Sequence, residues 1–404
     1  MSPMPADAKK AASGTPVEMS DSFRATLATA RSAIRAGDMG AARASVAALT
    51  PATDFEVYAA AGARFELATQ RRDIQAQRVA LSDIFKSSAV PRSDAPRLRY
   101  LAALFSYMVG NYDDTLAQLA YARTLGYDDI DATLLSADTY IRKNRPKEAR
   151  PIVDAALARQ RALGQPISAA WYDRAISMAY SSGDWDAVGA LYRERLAHYS
   201  SAPEWRSALV NTLSTPGVDT QIQLDLYRLQ AANGAMASER DYQAYATLAE
   251  KAGYSAESKA IIEAGRAAGK LTATQPVTAQ LLKNVAPKAT KEIAALPAQA
   301  KKADAANKGD AALKVADSYF SLAQFPKAAE YYRLALAKGG VKAAHANARL
   351  GVALARSGDL AGGSSALAAA DGEWANVAGF WSVWVAQQSR KVALRSPVER
   401  PIYS

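Results

Sequence analysis

The chain has 404 residues, half of them hydrophobic, and a formal net charge of +10. This apolar share is enough to bury a continuous core, and it excludes a disordered protein. The lack of cysteine excludes disulfides, thiolate metal sites and cysteine nucleophiles. No apolar run approaches the ~20 residues that a membrane-spanning helix requires, so we expect no integral membrane segment.

Residues 1–20 are polar and contain several prolines. This composition predicts a disordered leader, and it lacks the apolar segment of a secretory signal peptide. Two locations are therefore compatible with the sequence. The protein is periplasmic if a signal peptide has been removed, and it is cytoplasmic otherwise.

The segment 21–274 predicts a series of helical hairpins, each made of two helices joined by a short polar break. In the most regular of them, Gly110 and Asn144 mark successive breaks and lie 34 positions apart. Small residues such as Ala137 and Ala149 recur where the helices would cross, because backbones approach to about 8–10 Å only without bulky side chains. A period near 34 with two helices per unit indicates a tetratricopeptide-type solenoid.

Residues 275–308 break this pattern, since they contain three prolines, six lysines and few large apolar residues. We expect an irregular helical pair or a joint in this segment. Two regular repeats follow within 309–388, where Ala323 and Gly358 mark breaks that lie 35 positions apart.

The end of the 309–388 segment predicts a capping helix, because its large apolar residues recur at the spacing of one helical face. These residues are Val377, Phe380, Trp381, Trp384 and Val385. The tail 389–404 contains two prolines and is expected to be flexible. The predicted fold is therefore an all-α superhelix of about nine to ten helical hairpins with a C-terminal capping helix.

Three blocks of the sequence, WYDRAISMAYSSGDWDAV, PEWRSALV and YYRLALAKGGVKAAHANARLGVALARSGD, resemble members of the tetratricopeptide-repeat superfamily. Within it they look like a group of uncharacterised bacterial proteins that usually carry an export signal. The resemblance is best over 96–198 and 309–371. It implies a non-catalytic scaffold that binds a protein or peptide partner on a concave groove lined by the first helix of each repeat.

The resemblance also implies which residues would line that groove. Exposed aromatic and arginine side chains at such positions make efficient contacts with a partner. Packing between neighbouring repeats is the alternative role for each of them. The candidate groove residues are Arg97, Tyr100, Tyr107, Asp138, Arg142, Asp173, Tyr180, Asp317, Phe320 and Arg356.

The net positive charge offers a second kind of partner, an anionic glycan or a nucleic acid. The basic residues, however, occur as separated pairs such as Lys9-Lys10 and Arg71-Arg72, with acids nearby. A solvated basic surface explains this distribution without a polymer. Binding of an anionic polymer stays the alternative function.

The sequence contains little that predicts chemistry. His198 and His345 lie in distant repeats with no cysteine to join them, so we expect neither a metal site nor a cofactor. Acidic residues cluster at the breaks, where they cap the following helix. We predict that the chain is not an enzyme. A hydrolase would need two acids with perturbed pKa values in a deep pocket between repeats.

The repeat register predicts the effect of enlarging two residues at helix crossings. Ala328→Leu and Ala149→Leu should each lower the free energy of unfolding by about 1–3 kcal/mol, because the added volume forces the helices apart. Thermal unfolding of the two variants measures this. Wild-type melting temperatures in both would show that the register is wrong.

Overall fold

The computed structural model describes residues 19–395. They divide into two compact units, unit 1 up to Ile167 and unit 2 from Ser168. All regular structure in residues 19–395 is helical, which confirms the predicted all-α fold of helical hairpins. Most of the predicted leader and residues 396–404 of the predicted tail lie outside the described residues. The boundary between the units falls inside the predicted segment 21–274.

Unit 1 consists of four hairpins within residues 19–167, and the two helices of each hairpin pack on each other. The helices are α1 (Asp21–Ala36), α2 (Met39–Ala47), α3 (Asp54–Gln70), α4 (Ile74–Ile84), α5 (Ala95–Met108), α6 (Tyr112–Thr124), α7 (Ile130–Arg142) and α8 (Pro146–Ala162).

The short breaks inside these hairpins depend on two kinds of residue. One residue takes a left-handed backbone, as do Gly110 (φ 79°) and Asn144 (φ 57°), because the chain must reverse within two or three residues. The next residue often caps the second helix: Asn111 accepts a hydrogen bond from the backbone N–H of Asp114. The crossing residue Ala149 is fully buried, as the repeat register predicts.

Glu56 fixes the start of α1 against the start of α3. Its buried carboxylate accepts hydrogen bonds from the backbone N–H of Ala52 at 2.7 Å and of Ser20 at 2.8 Å, and from the Ser20 hydroxyl at 2.8 Å. These donors, with Ala52 the largest contributor, lower the pKa of Glu56 to about 2. The first two helices on the inner face of unit 1 are thus held together at one end.

Unit 2 begins with three further hairpins, continues through one long helix, and ends with two hairpins and a final helix. The helices are α9 (Ala169–Ser181), α10 (Trp185–His198), α11 (Ala202–Leu213), α12 (Thr220–Ala232), α13 (Glu239–Lys251), α14 (Ser255–Ala267), α15 (Pro276–Ala305), α16 (Asp310–Ser321), α17 (Phe325–Lys338), α18 (Ala343–Arg356), α19 (Leu360–Ala368) and α20 (Ala375–Arg395).

The structure corrects the prediction of a helical pair in 275–308, because α15 is one helix of 30 residues. Pro287 and Pro297 lie inside it. A proline removes one backbone donor and usually kinks or ends a helix. Here the buried face that includes Val285, Leu296 and Ala303 packs on neighbouring helices, and this packing outweighs the proline signal.

The final helix covers the last hairpin, as predicted for a cap, and its five predicted apolar residues are buried. It also packs on α10 and α12, which come much earlier in the chain. Gln387 joins α20 to this region, since it accepts from the Trp205 indole N–H at 3.3 Å and donates to the Leu196 carbonyl at 2.8 Å. Residues 389–395, which were expected to belong to a flexible tail, continue the helix.

A chain of alternating charges lies in the interior of unit 2. The fully buried guanidinium of Arg349 donates to Asp225 at 2.9 Å and to Asp317 at 2.7 Å. Asp225 also accepts from Arg228, whose other nitrogens bind Glu257 at 2.8 and 2.7 Å. Each buried ion therefore meets an opposite charge, which offsets the cost of removing it from water.

Removing the charge of Arg349 tests how far the stability of unit 2 depends on these buried ion pairs. Arg349→Met should lower the free energy of unfolding by about 3–5 kcal/mol, because Asp225 and Asp317 each lose a buried ion-pair partner. Urea denaturation followed by circular dichroism measures the change. The matched control is Arg333→Met, at an exposed arginine of α17, which should leave the midpoint unchanged. Equal midpoints for Arg349→Met and the wild type would contradict this role.

Candidate binding groove

The first helices of the first three hairpins of unit 1 line a cavity of about 570 Å³. Helices α1, α3 and α5 each contribute side chains to it, as expected for the inner face of a helical-repeat array. Its apolar wall consists of Tyr58, Phe65, Leu98 and Leu101. We call this cavity the unit 1 groove.

Charged side chains surround the apolar wall of the unit 1 groove. Arg31 and Glu66 form an ion pair across it at 3.1 Å and compensate each other. Asp94 accepts a hydrogen bond from the Ser93 hydroxyl at 3.1 Å. Arg97 is exposed and has no hydrogen-bond or ion-pair partner among residues 19–395. The groove thus presents an apolar surface beside an arginine that is free to bind.

The other candidate residues of unit 1 lie farther along α5 and α7. Tyr100 stacks on Tyr127 with ring centroids 5.0 Å apart, and burial raises the pKa of Tyr100. The hydroxyl of Tyr107 accepts from Arg142 Nε at 3.3 Å, which raises the pKa of Arg142. The negative charge of Asp138 also helps to raise the pKa of Arg142. Tyr107, Asp138 and Arg142 therefore lie near one another, and their contact with a partner stays a prediction.

In unit 2, the candidate residues of α9 take part in packing within one hairpin. Asp173 forms an ion pair with Arg195 of α10. Tyr180 meets Trp185 edge to face, with ring centroids 4.9 Å apart. Both side chains remain exposed, so a partner contact at these positions stays a prediction.

The structure corrects the prediction that Asp317 and Phe320 line an open groove, because both side chains are buried. Asp317 binds Arg349 and accepts from the Tyr332 hydroxyl at 2.6 Å. Burial acts to raise the pKa of Asp317, but Arg349, His345 and the Tyr332 hydroxyl together outweigh it, and the pKa is lowered. Phe320 lines a cavity of unit 2, and Arg356 lies on the same cavity.

The sequence did not reveal the groove residues of the first two hairpins. Tyr58 and Phe65 lie seven positions apart, two turns of α3, and so share one face. That spacing was the available signal. It was missed because the hairpin of α3 and α4 departs from the regular repeat pattern, so no groove position was mapped onto it.

The positive charge of unit 1 is largely compensated locally. Ion pairs between its arginines and acids join Arg64 to Asp83, Arg145 to Glu148, Arg150 to Asp154 and Arg159 to Asp128. This pattern lends no support to a continuous basic surface for an anionic polymer. Among residues 19–395, no helix is long and apolar enough to cross a membrane, and no cluster of three or more acidic or histidine side chains could hold a metal ion.

No family model matches the sequence, and no curated protein matches it either. Among solved structures, the chain is similar to the apo form of the quorum sensor NprR from B. thuringiensis, with 17% identity, a TM-score of 0.32, and coverage of 78% of this chain and 98% of NprR. It is similar to the pentatricopeptide repeat protein PPR10 from maize, with 16% identity, a TM-score of 0.36, and coverage of 93% and 59%. It is also similar to PilF of Pseudomonas aeruginosa, with 14% identity, a TM-score of 0.21, and coverage of 69% and 90%.

The hairpins themselves define the class of protein. Consecutive helices pair through short breaks, small residues lie at the crossings, and successive hairpins on either side of α15 begin 33 to 41 positions apart. The chain therefore has an all-α helical-repeat fold, similar to that of tetratricopeptide arrays. Arrays of this type present extended surfaces to other macromolecules.

Proposed function

We propose that the chain is a non-catalytic interaction scaffold that binds a peptide segment of another protein in the unit 1 groove. The observation that carries this proposal is the combination of an open apolar wall with an arginine that has no partner among the described residues. A surface of this kind fits a bulky apolar side chain with an acidic residue near it.

The apolar wall would supply most of the binding energy. Burying one large apolar side chain contributes about 1.5–3 kcal/mol. The ion pair of an acid with the exposed Arg97 would add at most about 1 kcal/mol. The charge would therefore act mainly on the choice of partner and on the association rate.

Two acids that are held by several hydrogen-bond or ion-pair partners, Glu56 and Asp317, fit a structural role. Glu56 is held as an anion by backbone donors at the start of α3, and Asp317 is held by Arg349 inside unit 2. A general acid needs a pKa that is raised toward neutrality. The pKa values of these two groups move in the opposite direction.

Peptide selection followed by a charge reversal tests the proposal. A displayed library of random peptides is selected on the immobilised full chain, and the enriched peptides are measured by fluorescence anisotropy. We expect a large apolar residue within a few positions of Asp or Glu. Arg97→Glu should weaken binding by about tenfold, because an attraction is replaced by a repulsion of similar size.

The matched control is Arg43→Glu, which makes the same charge change at an exposed position of α2, outside the groove. It should leave the affinity within about twofold of the wild type. Enrichment without the paired apolar and acidic pattern would contradict the proposal. Equal effects of the two charge reversals would contradict the placement of the site.

A further inference from the structure

Unit 2 contains a cavity of about 260 Å³ that opens to solvent, which we call the unit 2 cavity. Side chains from α12, α14, α16, α18 and α20 line it, so it forms only because the late helices of unit 2 return to the early ones. Most of its surface is apolar or aromatic, with contributions from Ile261, Phe320, Phe325, Val352 and Trp381.

Two of the charges on the unit 2 cavity cancel. Arg228 and Glu257 both line it and form a two-point ion pair at 2.8 and 2.7 Å. Arg228 also binds Asp225, and Glu257 also accepts from the Tyr245 hydroxyl at 2.8 Å. These groups bind one another, so neither Arg228 nor Glu257 is free to bind a ligand.

Arg356 differs from Arg228, because no acid lies within ion-pair distance of it among the described residues. Its guanidinium carbon lies 4.8 Å from the ring centroid of Phe325 and 5.9 Å from that of Trp384. Aromatic faces attract a cation but do not neutralise it. Burial of part of the Arg356 side chain lowers its pKa, while the rest of the side chain reaches solvent, so the guanidinium is accessible to an anion.

Trp381 also lines the unit 2 cavity, and it carries a second unused donor that lies just below the cavity surface. Its side chain is 2% exposed, and its indole N–H has no hydrogen-bond acceptor among residues 19–395. A buried donor without an acceptor is unfavourable and is unusual in native structures. The indole N–H of Trp205, in contrast, is satisfied by Gln387. The unit 2 cavity thus combines an unneutralised cation, an unsatisfied N–H and an apolar wall.

We propose that the unit 2 cavity binds a small monocarboxylate with a compact apolar body, such as an aryl-substituted or branched aliphatic acid. The carboxylate accepts hydrogen bonds from the Arg356 guanidinium, and from the Trp381 indole N–H once that ring has turned towards the cavity. The apolar body lies against Phe320, Phe325 and Ile261. One free cation matches one negative charge, and the apolar lining disfavours a phosphate, which would bring two charges and need more donors.

This site is independent of the peptide site in unit 1, because it uses other residues and another class of ligand. The same carboxylate chemistry also occurs at the C-terminus of a peptide. The small size of the cavity favours the free acid, and the experiment separates the two sources.

Calorimetric titration of the full chain tests the proposal, with phenylacetate, 3-methylbutanoate and indole-3-acetate as probes. At least one acid should bind and raise the melting temperature, because a ligand that binds only the folded state stabilises it. Phenylacetamide, which keeps the shape but lacks the charge, should bind at least tenfold more weakly than phenylacetate. Absence of binding by all three acids at millimolar concentration would overturn the proposal.

Variants then locate the site. Arg356→Met keeps an apolar stem without the charge and should weaken acid binding more than tenfold, while the melting temperature without ligand stays at or above that of the wild type. Trp381→Phe keeps a ring without the N–H and should weaken binding several-fold. Arg333→Met, at an exposed arginine, is the control and should bind as the wild type does.

Two further results bear on the assignment. The indole N–H resonance of Trp381, identified by its loss in Trp381→Phe, should shift downfield when the acid binds. Retained affinity in Arg356→Met would overturn the site. Tighter binding of a pentapeptide that ends in phenylalanine with a free carboxyl group would overturn the assignment to a small free acid.

Discussion

The buried guanidinium of Arg349 is the interaction on which the architecture of unit 2 depends. It lies on α18 and binds Asp225 of α12, which is 124 positions away in the chain. A cation cannot remain in a protein interior without compensating anions, so α18 is stable in this place only if α12 and α16 bring their carboxylates to it. The ion chain therefore acts as a specific connection between early and late hairpins.

This connection changes what a repeat array can offer a partner. An open series of hairpins would expose the first helices along its whole inner face. In unit 2, α18 and α20 return to the early helices and bury that region, so candidate positions such as Asp317 and Phe320 become interior residues. What unit 2 retains is a smaller cavity of about 260 Å³. The inner face of unit 1 keeps an open groove suited to a peptide.

The helical hairpins could be predicted from the sequence because their determinants are local. Alanines at the crossings, a glycine or asparagine at the break, and a capping side chain after it all lie within one repeat, as around Gly110 and Asn111. The single helix α15 could not be predicted from the sequence. Its prolines are a local signal against a continuous helix, and packing on other helices outweighs that signal. The contact of α18 with α12 could not be predicted either, since nothing near Arg349 in the sequence indicates Asp225 as its partner.

The candidate sites also depend partly on local sequence and partly on contacts with distant residues. Of the three candidates on α5, Arg97 lines the unit 1 groove, whereas Tyr100 and Tyr107 do not, and partner binding at all three stays a prediction. Tyr58 and Phe65 were missed because their hairpin is irregular. Arg356 was predicted for its position in a repeat, but its environment depends on Trp381 and Trp384, which α20 brings from outside the repeats.

Native-state hydrogen exchange of α20 tests the central claim, that the end of the chain closes unit 2. If α20 is part of the core, the backbone amides of Val377 to Val385 should exchange with an opening free energy close to that for unfolding unit 2. The amides of the exposed turn at Gly358 provide the rapidly exchanging reference. Exchange of α20 as fast as that turn would contradict the account.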